Sequence, residues 1–252
     1  MKSLPTPSPS LPVTGKLTPM ARKVSKSGGA GADSYDRARL KLIPCSEDFY
    51  RTVMELLPFD SKDKFEILDL GAGTGFLSAM IAEAFPKAQI TVFDLTPEML
   101  TIARQRLKPL GKRVRFVTAD LASDKQSKSY DAVVSSLSIY HLPDGGKRHL
   151  FGDIFKYLSP GGVFINADQV AGETARIEER SRNMWVRRAR ELKVTDRDLE
   201  TAIERMKRDL PSTVGQQLSW MRDAGFIEVS CAYKNLIFAV LTGTKPGARW
   251  IQ

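Results

Sequence analysis

Glu66-Ile67-Leu68-Asp69-Leu70-Gly71-Ala72-Gly73-Thr74-Gly75-Phe76 is the stretch on which the fold turns. An apolar run closes on an acidic residue, three glycines follow at alternate positions, and helix-forming sequence continues from Phe76 to Ala84. That order reads as a buried parallel strand, a tight turn and a helix whose N-terminus faces a ligand. Glycine here admits backbone dihedrals closed to other residues and lets a ligand approach the main chain. The spacing departs from the known phosphate loops. A dinucleotide site wants G-x-G-x-x-G, whereas the third glycine comes one position early, at Gly75, and Phe76 stands in its place. No Gly-Lys-Ser/Thr follows, which excludes a P-loop. An ionised Asp69 two residues before the first glycine suits a ligand bearing an ammonium group better than one bearing a pyrophosphate.

The D-x-G-x-G-x-G arrangement from Asp69 to Gly75 resembles the first motif of class I S-adenosylmethionine-dependent methyltransferases, and the following segments extend the resemblance. Gln89-Ile90-Thr91-Val92-Phe93-Asp94 is a second strand ending in an acid about 20 residues on, where ribose hydroxyls are bound. Thr96 and Pro97 then suit a helix start. A third strand, Val114–Val117, leads to Asp120, which by resemblance accepts from the adenine amino group. A fourth, Tyr130–Ser136, opens into Leu137–Leu142, the segment beneath the methyl donor in the family. A helix from Lys147 to Leu158, the turn Ser159-Pro160-Gly161-Gly162 and a strand Val163–Ala167 complete the set. The resemblance implies S-adenosyl-L-methionine as cofactor, held by Asp69, Gly71, Ala72, Gly73, Gly75, Asp94, Leu95, Met99, Asp120, Leu121 and Ser136. It also implies an α/β, Rossmann-like seven-stranded sheet of order 3-2-1-4-5-7-6, the last strand antiparallel, with helices on both faces and a helical insertion after strand five. A generic doubly wound domain with a merely structural glycine turn is the plain alternative.

The 252 residues suffice for one such domain, expected over 33–245, with an insertion over 172–210 capping the substrate. Helices are expected over 172–192, 196–209 and 212–224, then strands Ile227–Tyr233 and Leu236–Thr242 joined across Lys234-Asn235. Residues 1–32 carry five basic residues, no acid and five prolines, the composition of a disordered tail. Residues 246–252 form a short C-terminal tail. The tail accounts for much of the +9 net charge. In the insertion, arginines interleave with acids, as in Arg176-Ile177-Glu178-Glu179-Arg180, the pattern of a solvated helix face. No apolar run approaches the ~18 residues of a membrane span. Cys45 and Cys231 have neither metal nor redox spacing, so a cytoplasmic setting is expected.

Methyl transfer from a sulfonium is chiefly positioning in line and exclusion of water. A hydroxyl acceptor needs a base with a pKa near the working pH. Of two histidines, His141 follows strand four at the pocket mouth and is the candidate base, with Tyr140 as an aromatic wall or hydroxyl contact; His149 belongs to an exposed helix face. A hydrogen-bonded, loop-orienting His141 is the structural alternative. Tyr35 and Arg39, on a segment matching the family's lid, are candidates to reach the methionine carboxylate or the substrate, and Arg205 is a further candidate in the insertion. Ser135-Ser136-Leu137-Ser138 offers no acid for a metal, so none is expected. The same stretch lacks the D/N/S-P-P-Y of base-amine methylases, a nucleophilic Cys and a pair of glutamates. A small-molecule N or O acceptor is therefore the expected partner, with nucleic acid (a tRNA-type substrate) and a non-catalytic cofactor-binding regulator as alternatives; oligomeric state is left open.

Overall fold

The computed structural model describes residues 36–121, 123 and 128–247. The tail expected over 1–32, the candidate Tyr35 and residues 248–252 lie outside the described residues. Seven strands form one sheet: β1 Glu66–Leu70, β2 Gln89–Asp94, β3 Val114–Thr118, β4 Tyr130–Ser136, β5 Leu158–Gln169, β6 Ile227–Asn235 and β7 Phe238–Thr244. Their order is β3-β2-β1-β4-β5-β7-β6, with β7 antiparallel to both neighbours and the β3 to β5 ladder parallel. The helices are α1 Ser46–Glu55, α2 Phe76–Ala84, α3 Pro97–Leu107, α4 Asp144–Tyr157, α5 Ala175–Glu191, α6 Asp196–Met206 and α7 Val214–Asp223. A helical segment, 36–41, precedes α1.

Alternation along the strands explains why the sheet has two cores and why its acids share one side. Ile67, Ile90, Val92, Val134 and Ile165 point to the face covered by α1, α2 and α3 and by the insertion helices. Leu68, Leu70, Phe93, Val133 and Phe164 point to the other, under α4 and α7. Successive side chains change sides, so Asp69, Asp94 and Ser136 continue the first set at the carboxyl ends of β1, β2 and β4. Burying each Leu, Ile or Phe contributes about 1.5–3 kcal/mol, and a one-residue slip would invert both cores. Register is therefore strongly fixed, and with it the place of the acids.

The insertion helices are shorter than the expected 172–192 and 196–209, and three other boundaries differ for reasons the structure shows. α4 begins at Asp144 rather than Lys147 because Pro143 takes the cap position and Asp144 the first turn. The Ser159–Gly162 stretch is drawn into β5: pairing runs Tyr130↔Leu158 and then Ala132↔Val163, so the turn is a bulge within the strand. The β6–β7 reversal falls at Leu236-Ile237, two residues later than Lys234-Asn235. Leu236 takes φ 53° there, and buried Ile237 gives its carbonyl to the Val170 amide at 2.8 Å. That apolar anchor outweighs the polar turn signal.

Candidate functional site

The carboxyl ends of β1, β2 and β4 open into a cavity of about 400 Å³, at the point where strand order reverses. One wall is the glycine loop. Gly71, Gly73 and Gly75 have φ of 65°, 55° and 71°, the left-handed region that disfavours side chains. They do different things. A methyl group on Gly71 would lie 1.8 Å from Ser138 Oγ, whereas one on Gly73 would meet nothing within 4 Å. Gly73 thus faces open cavity, and Gly75 packs against Ala103 and caps α2.

Asp94 ties this loop to β2. Its Oδ2 accepts from the Gly73 amide at 2.7 Å and its Oδ1 from the Thr96 amide at 2.8 Å. A carboxylate has about four lone-pair sites, so acceptor capacity remains toward the cavity that Asp94 lines. Asp69 is buried beneath the loop. Its Oδ2 accepts from Ser78 Oγ at 2.5 Å, and its Oδ1 is buried with no partner among the described residues. Burial pushes its carboxyl up to about 7. Asp69, Ala72 and Ser136 border a smaller annex of about 30 Å³ beside the main cavity. A buried orphan oxygen there is costly unless a donor arrives, and it fits an ammonium-bearing ligand.

Of the sequence-predicted cofactor residues, Gly71, Gly73, Asp94, Leu95, Met99, Asp120 and Leu121 line the main cavity. Asp69, Ala72 and Ser136 border the annex. Gly75 borders neither, standing behind the loop. Arg39 and Arg205 line the main cavity together with Tyr140 and His141. Arg39 also donates to the Leu137 carbonyl at 3.1 Å, so it anchors its segment as well as facing the cavity. Leu137 itself is buried at φ 52°, strain of the kind concentrated at functional sites. Among the described residues, no three His, Cys, Asp or Glu cluster as metal ligands.

The sequence reading missed Asp209. His141 Nδ1 lies 3.1 Å from Asp209 Oδ1, the imidazole half-exposed and the carboxylate buried. Burial lowers the pKa of His141 and raises that of Asp209, each opposed by the other's charge. An Nδ1–H donated to Asp209 leaves Nε2 as the lone-pair nitrogen available to the cavity. The dyad spans two distant segments, held together by neighbouring bonds. The Leu210 amide donates to the Tyr140 carbonyl at 3.1 Å, and fully buried Lys147 Nζ donates to the Leu210 carbonyl. Asp168 Oδ2 accepts from the Tyr140 amide at 2.8 Å, and its carboxyl is pushed up to about 7 by burial. Burial raises the Tyr140 phenol above its ordinary value, so Tyr140 stays a neutral wall; its ring centre is 4.0 Å from that of His141.

A second missed group fixes the loop from behind. Arg106 donates to Thr74 O at 2.8 Å, to Thr74 Oγ1 at 2.9 Å and to Asp36 Oδ2, while Thr74 Oγ1 donates to Asp36 Oδ1 at 2.9 Å. This buried pair joins segment 36–41 to the glycine loop. Trp185 Nε1 donates to Leu42 O at 2.8 Å, joining α5 to the turn that follows segment 36–41. One signal could have found both missed cations. Lys147 falls in register with Leu150, Phe151 and Ile154, and Arg106 with Leu100, Ala103 and Leu107: a charge on an apolar helical stripe. Asp209, past the end of α6, follows no such period.

A methyltransferase domain family matches residues 67–162. The chain is 38% identical over 100 residues to a demethylmenaquinone methyltransferase of Thermus thermophilus, covering 39% of this chain and 44% of that protein. It is 31% identical over 114 residues to a malonyl-[acyl-carrier protein] O-methyltransferase of Acetivibrio thermocellus, covering 45% of this chain and 37% of that one. The chain thus spans less than half the length of these two curated relatives. An O-methyltransferase family protein from Burkholderia thailandensis superposes with TM-score 0.62 at 16% identity, over 92% of this chain and 69% of that structure. At that identity the likeness speaks to the fold.

Proposed function

We propose that the protein, whose residues 67–162 match a methyltransferase domain family, transfers a methyl group from S-adenosylmethionine to a hydroxyl of a small molecule. The observation that carries the hydroxyl reading is His141 on the cavity wall, paired with the buried carboxylate of Asp209. When bound, S-adenosylmethionine supplies an electrophilic sulfonium methyl. The chain's residues do the rest. Asp69 Oδ1 receives the ammonium group, Asp94 the ribose hydroxyls and Asp120 the adenine amino group; open space at Gly73 admits the ligand against the backbone. His141 Nε2 would take the proton of the acceptor hydroxyl, and Asp209 would steady the charge gained by the ring. Tyr140, Leu137 and Trp185 exclude water from the reacting end.

Of the named relatives, the demethylmenaquinone methyltransferase suits a low-molecular-weight acceptor, and the malonyl-[acyl-carrier protein] O-methyltransferase suits an oxygen acceptor. Two free cysteines, Cys45 and Cys231, suit a cytoplasmic setting. Among the described residues, no helix is long and apolar enough to cross a membrane.

The test is transfer of labelled methyl into the small-molecule fraction of a cell extract. Asp209→Asn and His141→Gln are expected to lower turnover by about 10²–10⁴-fold while S-adenosylhomocysteine affinity holds. Label removed by RNase would replace the small-molecule reading with an RNA one. Tight cofactor binding without transfer to any fraction would point to the regulator. Full turnover in both dyad variants would sink the base assignment.

A further inference from the structure

The acceptor half of the cavity carries more positive charge than a neutral alcohol requires. Arg39 approaches from segment 36–41 and Arg205 from α6, and both line the cavity beside the dyad. Both guanidinium charges act on the Tyr140 hydroxyl and on His141, so two cations from opposite ends of the sequence converge on one place. Arg205 is exposed to solvent at the cavity rim. It lies one turn after Ala202 and next to Met206, both in the buried stripe of α6, and lines the cavity together with these two residues. Among the described residues Arg205 forms no ion pair within 4.0 Å; its neighbouring acid, Asp209, is engaged by His141. Arg39 donates one N–H to Leu137 O at 3.1 Å, which holds its guanidinium at the cavity wall. The walls between them are apolar: Leu42, Ile43, Trp185, Met206 and Phe238.

We propose that the acceptor is a small hydroxylated carboxylic acid with an apolar, ring-sized body, its carboxylate held between Arg39 and Arg205 and its hydroxyl turned toward His141. The apolar walls receive the body. The guanidinium forks match a carboxylate with charge-assisted hydrogen bonds that strengthen as solvent is excluded. Orientation follows from the same arrangement, because a carboxylate fixed at the arginines cannot also occupy the place beside Nε2.

This inference rests on the methyltransferase reading, and the experiment separates the two. S-adenosylhomocysteine is titrated first, into the wild type and each variant, which reports cofactor binding and folding on their own. Its failure to bind would fall on the methyltransferase reading. The loaded protein is then titrated with meta- and para-hydroxybenzoate and with the matching hydroxybenzamides, neutral analogues of the same shape. At least one acid is expected to bind about tenfold or more tightly than its amide. Arg205→Gln should erase that ratio by weakening the acid alone, and Arg205→Lys should retain part of it. Added salt should weaken the acid and leave the amide unchanged. Equal binding of acid and amide, a preference that survives both Arg205→Gln and Arg39→Gln, or no acid binding in the millimolar range would each overturn the proposal.

Discussion

Asp69 is a buried carboxyl whose proton is not settled at neutral pH, and on the proposed assignment that gives cofactor binding a pH dependence. Burial raises its pKa to about 7, against about 3.9 for an exposed aspartate. Raised acids favour the protonated folded state, so the ligand-free protein loses stability from this group as pH climbs from about 4 toward the folded value. Ligand binding reverses the preference. An ammonium group at Oδ1 favours the carboxylate and expels the remaining proton, so cofactor affinity should rise with pH through that value and then flatten. Calorimetry in buffers of different ionisation enthalpy should detect the released proton near neutrality. Asp69→Asn should bind more weakly and release none; an unchanged proton count in that variant would reject the assignment. Asp94 behaves differently because its oxygens already hold two backbone amides. Asp94→Ala should therefore lose both loop order and a ligand contact, weakening S-adenosylhomocysteine by at least about 1 kcal/mol.

At the level of elements, the glycine loop separates into positions that serve the fold and positions that serve the ligand. Gly71→Ala collides with Ser138 and should destabilise the protein in urea melts. Gly73→Ala costs only the left-handed dihedral, about 1–2 kcal/mol, because nothing lies within 4 Å. It should leave a folded protein whose cofactor affinity is tenfold or more weaker, since the methyl occupies the ligand's approach. Sequence spacing identified the loop but could not make this distinction, which depends on what packs opposite each Cα. The same limit applies to Arg106. Its place on an apolar stripe was legible, whereas its partners Asp36 and Thr74 lie 70 and 32 residues away. Arg106→Met leaves Asp36 buried and uncompensated, and about 3–5 kcal/mol of stability should go with it. Asp36→Asn in the same background should recover part of that loss.

Taken whole, the molecule is a sheet whose strand order was legible from five spaced motifs, beneath a cover whose helices were expected from the sequence but whose joints were not. Strand periods and terminal acids are local signals, so β1 to β5 and their acids could be read directly. The cover is assembled by single long-range bonds, Trp185 to Leu42, Lys147 to Leu210 and Leu210 to Tyr140, which leave no local period in the sequence. Those bonds make one prediction about the molecule as a unit. On binding S-adenosylhomocysteine, amide exchange should slow together in 36–57, in α6 through Leu210 and in the glycine loop; protection confined to the loop would show the cover to be independent. The position of Asp209 has a wider consequence. On the proposed reading the base, His141, stands in the turn after β4, whereas its partner Asp209 comes from the insertion, so one segment would set both which molecule enters and whether its hydroxyl can give up a proton. Grafting another insertion onto this sheet would then change the chemistry with the clientele: a cassette lacking the acid would leave amines as the nucleophiles able to react without help.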